Sequence, residues 1–201
     1  MRMIKRIKNK VLKYIFKVRI SKSINHDSPP SIISSNCIGG RIYKVAGLSY
    51  RSPTVGLWFE ADDFYRFVTR LRYYLSLDLK LDSYSDDGYP IGKIGDVKIH
   101  FMHYKSFDDA FKSWNRRALR VNINNVVILN TDRDGCEKSK LIQLHQDSPY
   151  RIVSFVAKDI EYSSKYIVKV EAYTDDVTVG DLYTDYQHLA FKFPYEIFKN
   201  G

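Results

Sequence analysis

The chain of 201 residues carries 32 Lys and Arg against 23 Asp and Glu, a formal charge of +9, with 44% hydrophobic and 14% aromatic residues. That richness excludes intrinsic disorder. The presence of only Cys37 and Cys136 excludes a disulfide scaffold and a four-cysteine zinc site, and no apolar run reaches the ~18 residues of a membrane span.

The charge is uneven. Residues 1–26 hold nine basic side chains and no acid, so the remainder is neutral. Within this arm Ile4, Ile7, Val11, Tyr14 or Ile15, and Val18 recur at spacings of three and four, which predicts one apolar helical face with lysines between. Such a helix either lies on an anionic bilayer, through residues 1–22, or packs its stripe on its own domain. A neutral body argues against nucleic acid, whose binders spread basic residues over the folded face. Ser28-Pro29-Pro30 separates the arm (1–26) from a single body (31–201), because two prolines cannot continue a helix. Removing the arm is therefore expected to leave a folded, much less basic domain.

The body opens with a short strand, Ser31–Asn36. Cys37-Ile38-Gly39-Gly40 then turns into a helix, and Ser52-Pro53 starts a loop carrying Val55–Phe59. A helix follows over 61–75, with Phe64, Phe67, Val68, Leu71 and Leu75 as its stripe. Residues 82–95 are rich in turn residues. An alternating strand is expected from Val97 to Tyr104, placing Val97, Ile99, Phe101 and His103 on one face. Ser106 caps a helix reaching about Val121. Val126–Leu129 is apolar throughout, as in a strand buried on both faces. Asp132-Arg133-Asp134-Gly135-Cys136 follows, then a short helix over about 137–145 and strands at 152–157 and 166–173. Strands alternating with helices predict an α/β fold, three-layer α/β/α with a mixed, mainly parallel sheet, preceded by the basic amphipathic helix.

Three groups carry candidate chemistry. Cys37 stands after a strand and at the start of a helix, where unpaired N–H groups stabilise a thiolate. Asn36, Gly39 and Gly40 beside it suit a substrate approaching the backbone, and His103 is the candidate base. The bland alternative is a small packed cysteine and a hydrogen-bonded histidine. Asp132 and Asp134, two apart at a strand end, suit a divalent cation (Mg or Mn) bridging the diphosphate of a sugar nucleotide; equally, Asp-x-Asp-Gly is ordinary turn chemistry. Arg117 and Arg120 offer planar forks for phosphate or carboxylate, or else belong to a salt-bridged helix exterior.

Taken together, Ser35-Asn36-Cys37-Ile38-Gly39-Gly40, Ser52-Pro53-Thr54, Tyr89-Pro90-Ile91-Gly92, His103-Tyr104, Trp114-x-x-Arg117-x-x-Arg120 and Asp132-Arg133-Asp134-Gly135-Cys136 resemble a bacterial family of unknown function, DUF1919, whose members are commonly labelled exopolysaccharide biosynthesis proteins. The likeness runs from about Ser31 to Phe198 and leaves the arm outside. It implies a three-layer α/β fold and a part in building capsule or other surface polysaccharide, on a glycan or sugar-nucleotide substrate at the cytoplasmic face of the membrane, without fixing the reaction. The Asn-Cys-Ile-Gly-Gly and His-Tyr elements are also similar to families proposed to be papain-like. Three functions follow as expectations: a transferase acting on a sugar nucleotide or lipid-linked glycan, a Cys–His acyl transferase or hydrolase acting on the glycan, and a non-catalytic glycan-binding assembly protein.

Overall fold

The computed structural model describes residues 2–199. Four strands, β1 (Ser31–Ser34), β5 (Val126–Thr131), β6 (Arg151–Val156) and β7 (Ile167–Lys169), pair in the order β1-β5-β6-β7, every pair parallel. A second sheet of three antiparallel strands, β2 (Lys80–Tyr84), β3 (Pro90–Ile94) and β4 (Val97–His100), lies in the long excursion between β1 and β5. The protein is thus mixed α/β, but its parallel and antiparallel strands form two sheets rather than one mixed sheet. The turn-rich segment 82–95 holds most of β2 and all of β3. Its Asp87-Gly88 turn, with Gly88 at φ 80°, is a hairpin connection rather than a loop between helices.

Alternation along the parallel strands feeds two cores. Ile32, Val127, Leu129, Val153 and Phe155 point into one. Ile33, Val126, Ile128 and Ile152 point into the other. Both faces of β5 are buried, which is why Val126–Leu129 reads as an uninterrupted apolar run. The first core is closed by α1 (Arg2–Ser23), α2 (Ile38–Ala46) and the aromatic tail. The second is closed by α3 (Ala61–Thr69), α4 (Leu71–Leu75), α5 (Phe107–Ala118), the antiparallel sheet and Leu144 of α6 (Lys138–Asp147). The helix expected over 61–75 breaks at Arg70 (φ −126°, ψ 35°), although its stripe of Phe64, Phe67, Val68 and Leu71 stays in one core.

The basic stretch is a helix, and its partition of apolar residues differs from the single stripe expected. Phe16 and Ile20 are wholly buried and Ile24 nearly so, in the core shared with α2 and the tail. The Phe16 ring packs at 5.4 Å from Tyr186, 5.8 Å from Phe193 and 6.1 Å from Tyr195. Arg19 donates to the Ala190 carbonyl at 3.0 Å and lies over the Tyr195 ring. Met3, Ile4, Ile7, Val11 and Tyr14 are exposed. The helix is anchored on the body rather than free of it. No helix among the described residues is long and apolar enough to cross a membrane.

Candidate functional site

The carboxyl ends of β1 and β5 lie side by side, because the two strands are parallel and in register from Ser31 opposite Val126 to Ser34 opposite Leu129. Ser35 N–H extends the pairing to the Leu129 carbonyl. Beyond it the chains splay, and Asn36 bridges them by donating its amide to Thr131 Oγ1 at 2.8 Å and to Asp134 Oδ2 at 3.4 Å. Crevices outside strand carboxyl ends are the usual binding places of open α/β sheets. Cys37 follows at the N-cap of α2.

His103 reaches the same place by another route. Phe59 N–H bonds to the Ser35 carbonyl, and Trp58 and His100 exchange both backbone hydrogen bonds at 3.0 Å. This short bridge ties β4 to the end of β1 through the 52–59 loop. The Trp58 ring stacks on the His100 ring, with centroids 3.9 Å apart. Three residues past His100, in a loop and not in the strand expected to continue to Tyr104, His103 Nε2 comes to 3.3 Å from Cys37 Sγ. Gly56 sits under the imidazole at φ 80°, where a Cβ would meet the ring at 3.8 Å. Only glycine takes that backbone readily.

Cys37 and His103 open into a cleft of about 910 Å³. Asn36, Gly40, Arg117 and Asp134 line it. So do Trp58, Tyr50, Tyr104, Arg133, Asp181 and Tyr183, none of them among the candidate site residues read from the sequence. Trp58 has a local signal, an aromatic in a Pro- and Gly-bearing loop, and Tyr104 directly follows the candidate base His103. Arg133 is the spacer between two aspartates; among the described residues its guanidinium has no carboxylate within 4 Å. Burial pushes the Cys37 thiol up to about 11, with Asp181 and Asp134 adding to the rise and Arg133 opposing it. The thiol is therefore protonated at rest. Asp134 is held at φ 58°, in the left-handed region that aspartate tolerates better than most residues, and burial raises its pKa.

Several of the expected residues stand elsewhere. Asp132 faces away from the cleft: its two carboxylate oxygens accept the Ala157 and Val179 amides at 2.7 and 2.8 Å. It stitches β5 to the chain after β6 and to the 177–179 segment, so Asp132 and Asp134 do not form the cation-holding pair that their spacing suggested. Among the described residues no group of three His, Cys, Asp or Glu side chains is placed to hold a metal ion. Asp132→Ala is expected to lower stability by about 2–4 kcal/mol by stranding two amides. A ligand to a dissociable cation would leave the denaturation midpoint of the metal-free protein unchanged, so denaturant titration separates the two roles.

Gly39 is a packing residue and not a substrate contact. A Cβ there would lie 2.5 Å from Ser34 Oγ, so glycine lets α2 settle on β1. Arg117 donates to the Val55 carbonyl and to Tyr104 Oη, both at 2.8 Å, and thus braces the loop beneath His103 instead of clamping Asp134. Arg120 is outside the cleft. It reaches the Tyr50 carbonyl at 3.4 Å beside a separate depression formed with Ser49, Arg51 and Asn122. Cys136 is buried, with Sγ accepting from Asn130 at 3.4 Å.

The chain is similar in sequence to other proteins. An uncharacterized protein of Haemophilus influenzae is 34% identical over 155 residues, covering 76% of this chain and 73% of that protein. The domain family of unknown function DUF1919 matches residues 7–199. That match starts inside α1 and not at Ser31, in keeping with a helix that shares the core. The chain therefore belongs to the DUF1919 family.

Proposed function

We propose that the protein is a cysteine-dependent acyl-transfer enzyme, an acyltransferase or hydrolase with Cys37 as nucleophile and His103 as base. The observation that carries this reading is the 3.3 Å approach of Cys37 Sγ to His103 Nε2 at the start of α2, inside a large cleft. A cysteine and a base within hydrogen-bond reach are the minimum of covalent acyl chemistry. The cysteine attacks the acyl carbonyl carbon as its proton passes to His103 Nε2. The oxyanion forms near the first-turn amides of α2, which have no intrahelical acceptors. Imidazolium then returns the proton to the leaving group, and an acceptor hydroxyl or water, deprotonated by His103, releases the acyl group.

The glycan expected from the family's usual label fits this chemistry as acyl acceptor or acylated substrate. Support comes from the lining: Trp58, Tyr50, Tyr104 and Tyr183 offer flat faces for sugar rings, and Arg133 offers a free fork for a carboxylate or phosphate. The alternative of a sugar-nucleotide transferase drew on a paired Asp132 and Asp134, and it loses that support because Asp132 is spent on backbone amides.

The test is acyl-enzyme trapping. The protein is mixed with p-nitrophenyl acetate, quenched in acid, and mapped by peptide mass spectrometry. One acetyl group on Cys37, absent after His103→Ala, is expected. Acetylation spread over lysines, with Cys37 unlabelled, would remove the proposal.

A further inference from the structure

The outward face of α1 is a second apolar stripe that the fold leaves uncovered. Ile4, Ile7, Val11 and Tyr14 follow one another at three and four residues, with Met3 beside them, so they share one side of the helix. All five are between 51% and 75% exposed, whereas Phe16 and Ile20, on the side toward the body, are at 0%. The period that predicts a single face thus hides two. Intramolecular packing is satisfied by Phe16, Ile20 and Ile24, and it does not account for the other stripe.

The charge around that stripe is of one sign. At 100° per residue, Lys8 borders it on one side and Arg6, Lys10 and Lys17 on the other. No acid occurs before Asp27. Among the described residues no basic side chain from Lys5 to Lys22 has a carboxylate within 4 Å. We propose that this face of α1 docks on an anionic lipid bilayer, its apolar side chains entering the headgroup boundary and its flanking lysines and arginines meeting lipid phosphates. A helix with an apolar stripe between rows of lysine and arginine is the pattern that lies in such an interface. A second copy of the chain would bring the same positive rows against each other, which argues for the bilayer as occupant.

The docked helix is braced against the cleft wall. Lys13 lies 5.2 Å from the Tyr186 ring centre, and Arg41 stacks on both Tyr186 and Tyr183. Tyr183 lines the Cys37 cleft. Docking would hold that wall at the membrane, where a lipid-linked substrate resides. The proposal does not depend on acyl transfer and is tested without it.

The experiment is co-sedimentation of the full chain with phosphatidylglycerol–phosphatidylcholine vesicles and with pure phosphatidylcholine vesicles. At about 0.1 M salt, where the Debye length is about 10 Å, at least tenfold stronger retention by the anionic vesicles is expected, falling severalfold toward 1 M, where it is about 3 Å. The double variant Ile7→Glu, Val11→Glu alters only exposed positions and should keep the wild-type melting curve while losing retention at least tenfold. Absence of retention by anionic vesicles would overturn the proposal. Retention unaffected by the double variant would overturn it too, in favour of plain polyanion binding. A dimer in sedimentation equilibrium that the double variant dissociates, without vesicle binding, would assign the face to a second copy.

Discussion

Cys37→Ala and Cys37→Ser should each lower kcat/KM for acyl transfer at least about 10³-fold, the scale on which a covalent nucleophile is lost, and leave the melting temperature nearly unchanged. The side chain is in the cleft wall, not in either apolar core, and among the described residues its hydrogen-bond partner is His103. A serine hydroxyl can keep that contact. Were the cysteine not the nucleophile, both variants would instead leave turnover alone. The pH dependence is a second readout. With its pKa pushed up to about 11, the free thiolate is scarce at neutral pH. Alkylation by iodoacetamide should therefore climb about tenfold per unit from pH 7 to 10, whereas acyl transfer, with His103 taking the proton, should not. The unfolded thiol loses its proton near 9.0 and the folded one near 11. Stability should then fall as pH rises through that window, and Cys37→Ala should remove this part of the alkaline loss. Wild-type turnover in the Ala variant would refute the nucleophile.

Phe16→Ala should cost about 3–5 kcal/mol, or a drop of about 6–20 °C in melting temperature for a chain of this size. Phe16 has no exposed surface and touches three aromatic rings of the tail, so its removal leaves a cavity that α1 cannot close by itself. Deleting residues 1–26 removes Phe16, Ile20 and Ile24 together and should abolish the cooperative transition. Deleting residues 1–10, of which the described residues 3–10 contribute no buried apolar side chain, should shift it by only a few degrees. Equal thermal unfolding of the full chain and of residues 27–201 would show that α1 is not part of the core. A basic, proline-bounded segment reads as a detachable arm because charge density is visible in sequence. The three apolar residues that anchor it are hidden among the others at nearly the same spacing.

What the sequence determined by itself is what local pattern and covalent order control. The strand at 126–129 was legible because a strand buried on both faces is apolar at every position. Ser106 announced α5 because its side chain accepts the Asp109 amide, a contact within one turn. Cys37 at a strand-to-helix junction with Asn36 before it was legible for the same reason, as was a turn at Asp132–Gly135. Tertiary structure decided the rest. His103 reaches Cys37 not as the end of a parallel strand but because Trp58 and His100 pair across 42 residues and Phe59 binds the end of β1. Asp132 and Asp134 have the same chemistry and neighbouring positions, yet one serves backbone amides and the other faces the cleft, because partners at Ala157, Val179 and Asn36 choose between them. Arg117 and Arg120 are separated likewise by which carbonyl each finds. Residue type and spacing fix which atoms can bond, but long-range register fixes which atoms meet.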